Sequence, residues 1–147
     1  MAEITFRPAR LLDANDIKFL IRLVRINPMG LNWRRFLLAI SDNGELVGCA
    51  QIKPHSDGTF ELASLAVRRE WRGRGIARTL IEKLLSNSPR PIYLICRSGL
   101  GDFYGKFGFS VPAFRELPPY FRRLKSLANI FFYRKKDETL LIMRRDA

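Results

Sequence analysis

Cysteine and histidine are scarce, with two and one respectively in 147 residues. Cys49 and Cys96 stand inside apolar runs that read as strands, not in a Cys-x-x-Cys pair or a loop framework, so they are expected as buried free thiols. His55 falls in the turn His55-Ser56-Asp57-Gly58 with no Cys or His at ligand spacing, which leaves a metal site or a Cys-His nucleophile without support. Long hydrophobic runs are missing too. None reaches the ~18 to 20 residues that span a bilayer, and the opening Met1-Ala2-Glu3-Ile4 has no apolar stretch behind basic residues. A soluble, reducing, cytoplasmic setting is the expectation. Glycine (10) and proline (8) are too few and too scattered for a linker or low-complexity tract, no repeat is visible, and a single domain over 1–147 follows. Acidic residues are the last shortage. Fourteen Asp and Glu against 26 Lys and Arg leave a net charge of +12. Anionic partners are therefore favoured, among them a phosphate-rich cofactor, a nucleic acid or an anionic membrane surface, and charge alone does not choose between them.

With 47% hydrophobic residues, the chain has what a core requires, and its periodicities alternate between strand and helix. Ile4 to Arg7 alternate as a short strand. Asp13 is placed to cap a helix in which Ile17, Leu20, Ile21, Leu23 and Val24 recur, up to Asn27-Pro28. Phe36 to Ile40 and Leu46 to Ile52 form a hairpin across Asp42-Asn43-Gly44-Glu45, where Asn-Gly suits a type I′ turn. A second turn at His55 to Gly58 leads into a third strand, Phe60 to Val67. Ile76, Leu80, Ile81, Leu84 and Leu85 share one helical face, Ile92 to Cys96 is a buried strand, and Gly101 to Phe107 a short helix. Ser110 to Phe114 and Thr139 to Met143 return as strands. Between them, 117–136 is a basic amphipathic insertion. Pro118-Pro119 opens a helix with Phe121, Leu124, Leu127, Ala128 and Phe131 on one face, and Arg122, Arg123, Lys125, Arg134, Lys135 and Lys136 crowd the rest. The expected fold is α+β, a mixed, mostly antiparallel sheet of about seven strands with helices on both faces.

The strongest local pattern is the junction from Leu65 to Ala77, a strand delivering the basic turn Arg72-Gly73-Arg74-Gly75 straight into a helix. Unpaired N–H groups of a first helical turn point outward together, the helix dipole adds roughly half a positive charge, and glycine lets an anion approach the backbone. The turn lacks the Gly-Lys-Ser/Thr of a Walker loop and the third glycine of a dinucleotide fingerprint. The alternative is that Gly73 and Gly75 only make a tight turn.

Arg72, Gly75 and Ala77 form an Arg-x-x-Gly-x-Ala pattern that resembles the Q/R-x-x-G-x-G/A signature of the Gcn5-related N-acetyltransferase (GNAT) superfamily. Glu61 to Val67 is similar to that family's fourth strand, and Leu100 to Phe109 resembles its A-x-x-x-Y-x-K-x-G-F segment. The resemblance implies splayed fourth and fifth strands and acetyl-CoA as co-substrate, with no metal. It further implies that Arg72, Gly73, Arg74, Gly75, Ile76 and Ala77 hold the pyrophosphate. Leu65, Ala66 and Val67 would pair with the pantetheine arm, and Ser98 and Phe103 would flank the coenzyme. Where many relatives carry an asparagine near this last segment, the chain has Ser98 and Gly101, so an amide contact is weakened. By the same resemblance Tyr104 reaches the coenzyme sulfur, and Glu61 matches a general base. The plain alternatives are a packed helix tyrosine and a strand carboxylate that pairs with arginine or faces solvent.

The implied activity is acetyl transfer to a primary amine, of a small molecule or a peptide, by direct attack in a ternary complex. Against it stands a non-catalytic module that senses acyl-CoA or meets nucleic acid with its positive face, although no helix-turn-helix, RNP aromatic pattern or zinc finger is present. The segment 117–136 suits a cap over the acceptor cleft or a homodimer contact, ahead of a membrane surface.

Overall fold

Ile17, Leu20 and Ile21 lie three and four residues apart, and the stripe they make is the buried side of helix α1 (Ala14–Leu23). The computed structural model describes residues 3–131 and 139–146, the side chains of 128–131 excepted. Its strands are β1 (Ile4–Pro8), β2 (Phe36–Ser41), β3 (Leu46–Pro54), β4 (Phe60–Val67), β5 (Ile92–Arg97) and β6 (Leu140–Arg145), one sheet in that order. With α2 (Ile76–Ser86), α3 (Gly101–Gly105) and α4 (Pro119–Phe131), the fold is α+β on a mixed, mostly antiparallel sheet. The sheet has six strands instead of seven. At the expected strand Ser110 to Phe114, only a bridge from Ser110 to Arg144 forms. Pro112 has no N–H for a ladder, Val111 and Phe114 are exposed, and Phe114–Glu116 winds into a 3-10 turn.

The chain divides into two compact units, one of Met1–Lys53 with Leu62–Ser88, the other of Pro54–Glu61 with Pro89–Ala147. In the first, β1 pairs antiparallel with β2 from Ile4 opposite Ser41 to Pro8 opposite Leu37. Period-two alternation sorts β2 into two faces, and in β3 a bulge opposite Ala39 and Ile40 resets the phase, so Leu46 shares a face with Cys49 and Val47 with Ala50. Phe36, Leu38, Leu46 and Cys49 pack with Ile17, Leu20 and Ile21 of α1, whereas Ala39, Val47 and Ala50 pack with Ile76 and Leu80 of α2. The two helices thus cover opposite faces, and each fully buried aliphatic side chain contributes roughly 1.5 to 3 kcal/mol. A Cβ on Gly48 would come 2.8 Å from Ile76 Cγ2, so glycine is what lets α2 settle on β3.

Two local expectations are corrected. The hairpin turn is not type I′, because among its residues only Gly44 (φ +85°) has positive φ. The Gly44 N–H donates to Ser41 O at 2.9 Å, the Ser41 N–H donates to Glu45 O at 2.9 Å, and Ser41 Oγ accepts the Glu45 N–H at 3.1 Å and donates to Asn43 Oδ1. The Asn43 side chain is used as an acceptor, and glycine alone takes the left-handed place. Helix α1 ends at Leu23, four residues short of Asn27. There Arg25 turns left-handed (φ +59°) and the Ile26 N–H reaches back to Ile21 O at 3.3 Å, a glycine-type stop built on arginine. At the other end of α1, Asp13 accepts the Arg10 N–H at 2.7 Å and two bonds from the Arg7 guanidinium at 2.8 and 3.0 Å, and the Arg7 fork holds its carboxyl below the usual range.

In the second unit β5 pairs antiparallel with β6 from Ile92 opposite Arg145 to Arg97 opposite Leu140. Tyr93, Leu117, Phe121 and Ile142 form its core. Phe121 is fully buried and stacks on Tyr93 with centroids 4.7 Å apart, which seats the first turn of α4. Leu124 is half-buried and Leu127 is 48% exposed, so among the described side chains the cover of the apolar face thins from Phe121 to Leu127. The side chains of Ala128 and Phe131, and Arg134, Lys135 and Lys136, lie outside the described residues.

Candidate active site

In the first unit β4 ends at Val67, the turn Arg69–Trp71 is 3-10, and Arg72 to Gly75 lead into α2. Gly73 and Gly75 both have φ +77°, a region that favours glycine, and a Cβ at either would meet nothing within 4 Å. The glycines therefore serve conformation and leave open space in front of the backbone. The Thr79 N–H donates to Gly75 O at 3.0 Å, so the N–H groups of Ile76 and Ala77 come ahead of that bond. No side chain caps the helix. Arg72 folds back, its Nε donating to Val67 O at 3.2 Å, and the Arg74 guanidinium lies over the Trp71 ring at 4.6 Å. Open space, forward N–H groups and two exposed arginines suit a diphosphate.

The strand behind this turn is irregular at a point the sequence reading missed. Ser64 has φ +59° inside β4, a conformation that strains a residue with a Cβ unless its surroundings impose it. Gln51 Nε2 donates to Ser64 Oγ at 2.7 Å and to Gly30 O at 3.3 Å, and Cys49 Sγ donates to Ser64 O at 3.6 Å. Gln51 is fully buried, and its visible signal was a lone amide in an otherwise apolar run. Beyond the kink, Leu65 and Val67 pack toward α2, and Ala66 is buried toward α1. Beside α1, Lys18, Arg22, Pro28, Gly30 and Leu31 line a cleft of about 310 Å³.

The second unit holds the other candidates. Glu61 is 7% exposed and takes neither alternative foreseen for it, since its Oε1 lies 2.8 Å from His55 Nε2. Ser98 Oγ accepts the Thr139 N–H at 3.1 Å, while the Ser98 N–H donates to Thr139 O at 2.7 Å. Phe103 meets Tyr104 edge-on at 5.0 Å, and Tyr104 is half-buried. Burial, with some repulsion from the Cys96 thiol, pushes the Tyr104 phenol up to about 12, so it stays protonated and able to donate near neutral pH. Burial likewise pushes Cys96 up to about 11 and Cys49 up to about 12. Among the described residues no three His, Cys, Asp or Glu side chains converge as metal ligands, and no helix is long and apolar enough to cross a membrane.

These three groups bear on alkaline stability. Each is raised above its unfolded value of about 10 for the phenol and about 8.5 for a thiol, so their contribution is whole below about pH 8.5 and is lost as pH climbs toward about 12. The melting temperature is expected to hold from about pH 7 to 8.5 and to fall steadily above about pH 9. A flat profile to about pH 11 would show that the three groups ionise as freely in the fold as outside it.

A family model of the acetyltransferase (GNAT) domain matches residues 32–111. No curated protein matches the chain. Among solved structures, N-acetylglutamate synthase from Neisseria gonorrhoeae, complexed with coenzyme A and N-acetyl-glutamate, aligns at TM-score 0.74 and 21% identity over 99% of this chain. The chain spans only 35% of that synthase. Rv2747 from Mycobacterium tuberculosis, in complex with CoA, aligns at 0.72 and 19% identity over 97% of this chain and 99% of its own. Escherichia coli ElaA aligns at 0.69 and 20% identity over 99% and 100%. At such identities these structures speak for the fold, and the family rests on a match to more than half of the sequence, whose turn and strand have the geometry just described. The chain belongs to the GNAT acetyltransferase family.

Proposed function

We propose that the protein transfers an acetyl group from acetyl-CoA to a primary amine by direct attack in a ternary complex. The observation that carries this reading is the turn at Gly73 and Gly75, where positive φ, open space and forward amides offer a seat for the coenzyme diphosphate. Arg72 and Arg74 add positive charge beside it, and the amides of Ile76 and Ala77 complete it. The backbone of Leu65, Ala66 and Val67 takes the pantetheine arm by strand-like pairing, and the Val67 N–H is assigned to the thioester oxygen, where negative charge grows during attack. Tyr104 donates to the departing sulfur, with Phe103 and Ser98 along the coenzyme. Glu61 stands at the proton-accepting end. The two units are read as parts of one transferase domain, in a cytoplasmic setting.

For the acceptor, the cleft beside Lys18 and Arg22 suits an amine that also carries a carboxylate. N-acetyl-glutamate and L-arginine are the small molecules bound in two of the similar structures, both of the gonococcal synthase. Calorimetry with acetyl-CoA is expected to give a dissociation constant between about 1 μM and 1 mM. A screen of amino acids and peptide amines, read by thiol release, should then find an acceptor. Folded protein that gives no heat with acetyl-CoA would end this reading.

A further inference from the structure

His55 is the one imidazole of the chain. It closes the turn before β4, where its N–H donates to Thr59 O at 2.9 Å and its carbonyl accepts the Gly58 N–H at 3.0 Å. A residue and the one two places beyond its partner share a face in a hairpin. Glu61 is therefore brought beside the ring, with Nε2 and Oε1 2.8 Å apart and both side chains only 9% exposed. Tyr120 of α4 lies over the imidazole with centroids 3.8 Å apart and planes 20° apart, and Phe121 meets its edge at 5.6 Å. Helix α4 is tied to the same turn, since the Tyr120 N–H donates to Asp57 Oδ2 at 3.2 Å. The titratable groups facing His55 are thus Glu61 on β4, Asp57 on the turn and Tyr120 on α4. Ring Nδ1 has no hydrogen-bond partner among the described residues.

A carboxylate accepting from Nε2–H fixes that tautomer and leaves the basic lone pair on Nδ1. Charge favours the same choice. A neutral imidazole beside a carboxylate carries one negative charge, and a proton gained on the ring makes a compensated ion pair, which a buried place tolerates better than an isolated charge.

We propose that His55, oriented by Glu61, takes the proton of the acceptor amine at Nδ1. The proposal rests on the acetyltransferase reading and reassigns the proton within it. One ammonium N–H bond breaks and its proton bonds to Nδ1. The freed nitrogen lone pair bonds to the thioester carbonyl carbon, the C–S bond breaks, and the second proton leaving nitrogen ends on sulfur. The products are an amide, the coenzyme thiol and an imidazolium that gives its proton to water. His55 is then a catalytic residue, Glu61 a positioning one, and Tyr120 the plate that holds the ring.

A single imidazole makes the test direct on the full chain by nitrogen-15 NMR. The neutral ring should show Nε2 protonated and Nδ1 bare. Its titration midpoint should coincide with the acid limb of kcat/KM, measured with acetyl-CoA and the fastest amine of a panel of amino acids and peptide amines. His55→Gln keeps a donor for Glu61, and is expected to lose about 10²- to 10⁴-fold in kcat/KM together with the acid limb, with CoA affinity unchanged within about twofold. The opposite tautomer, a limb displaced from the imidazole titration, or a His55→Gln enzyme that keeps the limb overturns the proposal. Should His55→Gln not fold, the wild-type tautomer and titration still decide. CoA binding with the wrong tautomer removes the His55 assignment alone, whereas no CoA binding, or CoA binding without turnover of any amine, removes the acetyltransferase reading as well.

Discussion

Phe121→Ala should lower stability by about 3 to 5 kcal/mol, the range for removing a buried aromatic ring from a core. Phe121 is fully buried, stacks on Tyr93, and meets both Tyr120 and His55 edge-on, so truncation leaves a hole lined by rings that cannot collapse into it without leaving their own partners. In a chain of this size the loss corresponds to a fall of roughly 6 to 20 °C in melting temperature. Leu127→Ala on the same helix is the control, because its side chain is 48% exposed and its removal should cost no more than about 0.5 kcal/mol. Equal melting of the two variants would mean that α4 does not rest on Phe121.

The second large effect is on binding. At Gly75 the backbone is left-handed and the space in front is open, and Asn and Asp are the side chains that accept such a conformation most readily. Gly75→Asn and Gly75→Asp therefore have matched size and matched backbone demands, and differ in one negative charge. At an effective dielectric of about 20, a carboxylate about 6 Å from one phosphate charge is repelled by about 3 kcal/mol, roughly a hundredfold in CoA affinity. The same charge at the start of α2 interacts favourably with the helix dipole, by about 0.3 to 1 kcal/mol. Gly75→Asp should thus melt no lower than Gly75→Asn and bind CoA about a hundred times more weakly, as read by calorimetry and thermal melts. Equal CoA affinities in the two variants would place the diphosphate elsewhere.

Much of the architecture is legible because it depends on local period. Strand alternation in β2 and the stripe of α2 need no distant partner to be read, and the Arg72-Gly75-Ala77 spacing carries its own geometry. Other features depend on what the chain meets far away. Nothing near Glu61 in sequence announces that Tyr120 and Phe121, some sixty residues on, hold its histidine partner in place. The pairing of His55 with Glu61 itself follows from the hairpin register His55 opposite Thr59, which the structure supplies. Ser64 was hidden for another reason. A left-handed serine inside a strand contradicts local preference and is sustained by Gln51, so propensity argues against it. The strand expected at Ser110 to Phe114 failed at Pro112, where hydrophobic pattern and hydrogen-bonding capacity disagree.

Because Gly48 has no side chain, that of Ile76 in the opening turn of α2 rests directly on the main chain of β3, much as a bearing rests on its shaft. Parts joined through one short, buried, β-branched side chain share one frame of reference. The amides ahead of the helix are thereby aimed before any ligand arrives, and little ordering entropy is left to lose on binding. Anion affinity at that turn should accordingly follow the integrity of β3 more closely than the softness of the turn itself.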